Sequence, residues 1–159
     1  MNFWAGLEQA PWVEFYSKSI PLDSFIAALH YFSFFIVVGT TALIDLRLLG
    51  VLNWRQRTVQ QVARQVFPWM WTSLAIAIVT GILLFTTEAD EFVASKTFWA
   101  KLIIMVVGMI VAAVIQRNTS KWDQQPLVPG NAKLLAVISL VIWLGVILAG
   151  VEIANYNAV

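Results

Sequence analysis

Four long apolar stretches, separated by short polar ones, dominate the chain. Residues 22–44, 68–86, 98–115 and 134–153 are each apolar around the whole circumference that a helix would present, not along one stripe. A hydrocarbon core about 30 Å thick takes about 20 helical residues to cross. Each stretch is therefore long enough to span a bilayer. Pro21 precedes the first and Pro68 opens the second, while residues 116–133 carry Pro126, Pro129 and Gly130 as turn signals. The pattern predicts an all-α fold: a four-helix transmembrane bundle forming a single integral membrane domain over residues 1–159.

Two flanking stretches have a different period. Trp12, Phe15, Tyr16 and Ser19 recur at helical spacing, with Glu14 and Lys18 one turn apart on the wetter face, which predicts an N-terminal interfacial amphipathic helix. Val59, Val62, Ala63 and Val66 repeat the spacing ahead of Pro68, either as a second surface helix or as an extension of the span that follows. The acidic run Glu88-Ala89-Asp90-Glu91 is expected to be a solvated loop and lacks calcium-loop spacing.

Composition narrows the functional classes. Hydrophobic residues make up 60% and charged residues 12%, against about 25% charged in typical globular chains, and the mean hydropathy is +0.77. A net charge of +1 leaves no basic surplus for phosphates, so nucleic acid is not an expected partner. The absence of Cys excludes disulfides, thiolate metal sites and thiol catalysis. A single His excludes a haem held by two histidines of one chain. The amino terminus lacks the basic-then-apolar pattern of a cleaved signal peptide, so insertion without cleavage is expected.

Charge placement predicts a direction. Arg47, Arg55, Arg57, Arg64, Arg117, Lys121 and Lys133 share the side of the 1–2 and 3–4 connections, and Lys18, Lys96 and Lys101 lie toward the other with most of the acidic residues. The positive-inside rule then puts both termini on the outer, periplasmic side of a bacterial inner membrane. Trp4, Trp12 and Trp99 would mark the outer boundary; Trp54, Trp69, Trp71 and Trp122 would mark the inner one.

Ionisable groups at membrane depth point to function. His30 lies about 12 Å below the outer end of the first span at about 1.5 Å per residue. Met105, Gly81 and Gly145 fall near that depth by the same count, with Gly108 just beneath. Glycines there either let helices approach closely or leave room for a flat ligand. Lys101, Met105 and Met109 form one stripe on the third span. Lys101 stands above the His30 layer, placed to pair with porphyrin carboxylates, to reach water, or to pair with Glu152. Three roles stay open for His30: a hydrogen bond to a neighbouring helix through Ser33, Thr80 or a carbonyl; ligation of haem iron; or a copper site with Met105 or Met109. Asp45 and Arg47 do not face each other on a helix. Asp45 is expected to pair with Arg64 or a loop amide, and Arg47 to reach the headgroups.

The run Ala28-Leu29-His30-Tyr31-Phe32, with Gly39, Asp45-Leu46-Arg47-Leu48-Leu49-Gly50, Thr80-Gly81-Ile82-Leu83-Leu84-Phe85 and Phe98-Trp99-Ala100-Lys101-Leu102, resembles an uncharacterised family of small bacterial four-helix membrane proteins. More distantly, the chain is similar to the CopD-type copper-resistance membrane domain and to HemJ-type protoporphyrinogen oxidases. The HemJ-type resemblance implies haem b, a first-helix His matched by His30, and a third-helix Lys matched by Lys101 after Trp99. Those proteins carry further histidines and this chain does not, which leaves Met105, water or a partner chain as the second axial ligand. The expectation is a haem b-binding electron-transfer protein in contact with the lipid bilayer, as a homo-oligomer or within a larger membrane complex. Copper handling and a non-catalytic accessory subunit are the alternatives.

Overall fold

The computed structural model describes residues 3–52, 57–125 and 127–156. Trp54, Arg55 and Pro126 lie outside the described residues. Seven helices follow one another: α1 (Phe3–Glu8), α2 (Pro11–Ser17), α3 (Ile20–Leu48), α4 (Val59–Thr87), α5 (Ala89–Ala94), α6 (Lys96–Asp123) and α7 (Gly130–Tyr156). There is no strand among the described residues. Four of the helices, α3, α4, α6 and α7, are long and apolar enough to cross a membrane, the signature of a multi-pass membrane protein. Helix α3 pairs with α4 and α6 with α7; contacts of α3 with α7 and of α4 with α6 close the bundle. Side chains such as Phe35 on α3, 67% exposed, and Ile110 on α6 point outward, as lipid contact requires.

Local chemistry sets the helix ends. Pro21 occupies the first turn of α3, where its missing amide hydrogen is not needed. Gly50, at φ 81°, follows the end of the same helix in the left-handed conformation that glycine adopts without strain. Thr58 and Gln61 form a reciprocal capping box at the start of α4. Asp123, the last residue of α6, adds a second cap: its carboxylate accepts from the backbone N–H of Val59 at 3.0 Å and of Gln60 at 2.6 Å, placing negative charge at a helix N-terminus.

Several boundaries differ from the sequence expectation. The second long helix does not open at Pro68; it begins at Val59 and carries Pro68 inside. Two caps fix that start, and Val59, Val62 and Ala63 are buried in the main core, so the segment is a packed extension rather than a separate surface helix. The third long helix runs past residue 115 to Asp123, because Ile115, Thr119 and Trp122 continue its buried stripe. Trp122 belongs to that core, packed inside the bundle. The acidic run is not a loop. Ala89 is buried at the start of α5, and the Asp90 amide donates to Glu8 of α1 at 2.9 Å.

The terminal region forms a cap over one end of the bundle. Rings of Trp4, Phe85, Phe92 and Phe98 meet there, with Phe85–Phe98 centroids 5.5 Å apart and Trp4–Phe85 5.8 Å. Helix α2 is amphipathic as expected, and its Lys18–Glu14 pair forms at 3.0 Å. Its packed face is Val13 and Tyr16, however, with Trp12 and Phe15 exposed. The Tyr16 hydroxyl donates to Leu83 O at 2.8 Å and contacts the Thr86 hydroxyl, fastening α2 to α4.

Packing is uneven along the bundle. The main core lies in the half that carries the α3–α4 and α6–α7 connections, around Ile44, Leu48, Phe67, Met70, Ile115 and Trp143. Toward the capped end it thins. Helix α6 buries no residue between Lys96 and Val107.

Candidate functional site

His30 sits on α3 in this loosely packed half and turns toward α4. Its Nδ1 lies 2.9 Å from Ala77 O and 3.1 Å from the Thr80 hydroxyl. A carbonyl oxygen only accepts, so Nδ1 carries the hydrogen and donates it. Thr80 in turn donates to Ile76 O at 2.8 Å within its own helix. The neutral ring is thereby held in the tautomer whose Nε2 bears the free lone pair. Among the described residues no hydrogen bond reaches Nε2. The helix-bridging role foreseen for His30 is present, through Thr80 and a carbonyl rather than Ser33, and it occupies only one of the two nitrogens.

Gly81 makes this placement possible. A Cβ at Gly81 would stand 3.0 Å from His30 Cε1, closer than ordinary van der Waals contact. The gap that the glycine leaves is filled by the imidazole itself. Gly108 behaves in the same way: Trp143 and Ile142 of α7 occupy its gap, with Trp143 Cζ2 3.3 Å from the Cβ position. The Trp143 ring also meets Phe34 of α3, one turn from His30, at a centroid distance of 6.2 Å. Gly145 faces Ile104 at ordinary contact distance. These glycines admit neighbouring side chains; they do not themselves form a slot.

Lys101 enters the same half from α6. Its stem lies over Gly150 of α7, with Nζ 3.6 Å from where a Cβ would be. Lys101 and His30 thus share one half of the bundle, on α6 and α3. Of the three roles open to Lys101, the pairing with Glu152 does not form. Glu152 instead accepts from Thr97 at 3.4 Å, and among the described residues the one ion pair is Lys18–Glu14. Met105 and Met109, further along the Lys101 stripe, are half-buried and pack against the main core.

Asp45 and Arg47 depart from expectation. Asp45 is 1% exposed and does not pair with Arg64 or a loop amide. Arg47 donates to Leu52 O and to Arg57 O, both at 2.7 Å, so it ties down the α3–α4 connection. Trp143, buried at 2% exposure, was invisible in the sequence because nothing distinguishes it within an apolar run.

The donor set can be tested against a haem held by one imidazole. Nε2 is free, its tautomer is fixed by a backbone carbonyl as is usual for metal-ligating histidines, and a lysine without a carboxylate partner stands nearby. The same half of α6, from Lys96 to Val107, has no fully buried side chain. On these counts the residues fit. Among the described residues no group of three or more His, Asp or Glu could hold a bare metal ion.

No curated protein and no solved structure matches the chain. Residues 17–155 match DUF6644, a family of unknown function, and on that coverage the chain belongs to that family.

Proposed function

We propose that this chain is a small membrane redox protein that binds haem b, with His30 as an axial ligand. The observation that carries the proposal is the Nε2 of a half-buried imidazole, free of any hydrogen bond among the described residues, in the half of the bundle where α6 has no fully buried residue from Lys96 to Val107. When bound, haem supplies one-electron chemistry, tuned by its axial ligand, burial and nearby charge. The remaining work falls to the chain. Ala77 O and Thr80 orient the ring, Gly81 lets it seat, and Lys101 offers a cation to a propionate. Met105, one turn from Lys101, is the candidate second ligand. The similarity of His30 and of Trp99 with Lys101 to the HemJ-type pattern supports the same assignment.

Seven of the ten Lys and Arg residues lie toward the α3–α4 and α6–α7 connections. By the positive-inside rule the termini and the His30 half face the periplasmic side of the inner membrane. The test is an absorption spectrum of detergent-purified protein from haem-replete cells. A Soret band lost in His30→Ala and weakened in Lys101→Met supports the proposal. A colourless, metal-free preparation overturns it, and stoichiometric copper in place of haem turns the assignment to copper held by His30 with Met105 or Met109.

A second reading, an accessory subunit or homo-oligomer, draws on the outward face of α3. There Phe25, Phe32 and Phe35 are exposed, and nothing lies within 4 Å of the Cβ position of Gly39, a gap that a neighbouring helix would fill. Co-purification of a larger membrane protein at fixed stoichiometry, unaffected by His30→Ala, would favour it.

A further inference from the structure

The end of the bundle that carries the α3–α4 and α6–α7 connections has a basic surface that the His30 assignment does not use. Two bridges fix how α4 and α6 meet there. The Asp123 carboxylate accepts from the Gln60 amide at 2.6 Å, and Trp71 Nε1 donates to Gln116 Oε1 at 2.7 Å. Arg64 follows Gln60 by one turn and precedes Trp71 by two, so it stands on the same stripe of α4. Ser120 falls between Gln116 and Asp123 on the facing stripe of α6, and Arg117 neighbours Ser120 one turn away. Since Asp123 meets Gln60, the levels can be counted from that contact at about 1.5 Å per residue. Arg64 lies about 6 Å beyond it and Arg117 about 9 Å, nearly side by side along the seam.

Arg64, Arg117 and Ser120 are all exposed, and among the described residues neither arginine forms an ion pair. No carboxylate is left over to neutralise them. Of the acidic residues only Asp45 and Asp123 lie toward this end; Asp45 is buried and Asp123 caps α4. Beyond the Trp71–Gln116 bridge the surface changes character. Ala75 and Val79 continue the outer side of α4, and Ile110 and Val106 that of α6, all exposed. The seam between the two helices is thus cationic at the water end and apolar further in.

We infer that this seam of α4 and α6 is a binding site for one anionic phospholipid, its phosphate held by Arg64 and Arg117. Guanidinium groups match phosphate oxygens in charge and in fork geometry, and the Ser120 hydroxyl supplies a further donor. Basic recesses between membrane helices on the positively charged side suit such headgroups. The acyl chains lie along Val79, Ile110 and Val106, which a free phosphate would leave bare. A lipid seated there bridges the two helix pairs of the bundle and stabilises their junction.

The experiment follows melting of the full chain, purified in a neutral detergent, as phosphatidylglycerol or phosphatidylcholine is added. A rise of roughly 3–6 °C is expected with phosphatidylglycerol at about ten times its dissociation constant, and little with phosphatidylcholine. Arg64→Gln and Arg117→Gln should each move the phosphatidylglycerol midpoint several-fold upward, and the double variant should lose the response. Lys133→Gln removes the same charge from an exposed position on α7, away from the seam, and should keep it. Equal shifts with the two lipids, an equal shift with inorganic phosphate, or a loss in Lys133→Gln as large as in Arg64→Gln overturns the inference. Native mass spectrometry of the parent keeps the test decisive if the variants fail to fold. One phosphatidylglycerol retained per chain from an equal lipid mixture supports the site, and no preference over phosphatidylcholine rejects it. Neither readout draws on His30, so this inference and the haem assignment fail independently.

Discussion

The two polar positions of α3 lie in contrasting surroundings. His30 is half-buried, hydrogen-bonded to α4 through one nitrogen, and lies in the half of the bundle where α6 has no fully buried residue before Gly108. Asp45, further along the same helix, is 1% exposed in the close-packed half. Packing density decides what kind of guest each half can take. A loose half with a tethered imidazole suits a large planar ligand that brings its own apolar surface. A close-packed half has no room for such a ligand.

The sharpest way to break this contrast is a paired substitution. His30→Ala is expected to abolish the Soret band, whereas Asp45→Asn leaves it intact; equal loss in both variants would mean that the halves are not independent. The glycines come next. Gly108→Val must displace Trp143 and Ile142 from the main core and should cost about 1–3 kcal/mol, read as a lowered melting temperature at about 2–4 °C per kcal/mol. Gly81→Val meets the rim of a single ring in the loose half, so its stability loss should be smaller and its loss of haem retention larger. The reverse ranking would contradict the packing difference.

Two smaller effects test the ends. Asp123→Ala removes the cap that α6 supplies to α4 and should cost about 1–2 kcal/mol, at the well-packed end. Tyr16→Phe loses the bond to Leu83 O at the loose end and should cost about 1 kcal/mol. Thermal melts of both variants check the order, and a larger loss from Tyr16→Phe would place more of the stability in the terminal cap than the burial pattern allows.

The four long helices were legible in the sequence because their apolar runs exceed what any soluble helix needs. Their ends were not. Val59–Val66 carries Gln and Arg, so it looks like surface, and the Asp123 carboxylate that fixes its start lies more than sixty residues away in sequence. Counting depth brought His30 and Gly81 to one level, but not the fact that the ring fills the glycine's gap. The pairing of Lys101 with Glu152 looked natural by position; instead the lysine stem lies across Gly150 and the glutamate turns to Thr97. Asp45 was read as a terminal charge because its neighbour Ser139 is one of many small residues in an apolar helix. Contacts between helices distant in sequence leave no periodic trace, and these were the ones that sequence reasoning missed.

Whether His30 holds haem is decided by haem determination on purified protein. About one haem b per chain is expected in the parent and none in His30→Ala, with both proteins folded and equally helical. Haem absent from the parent, or bound equally by the variant, would contradict it.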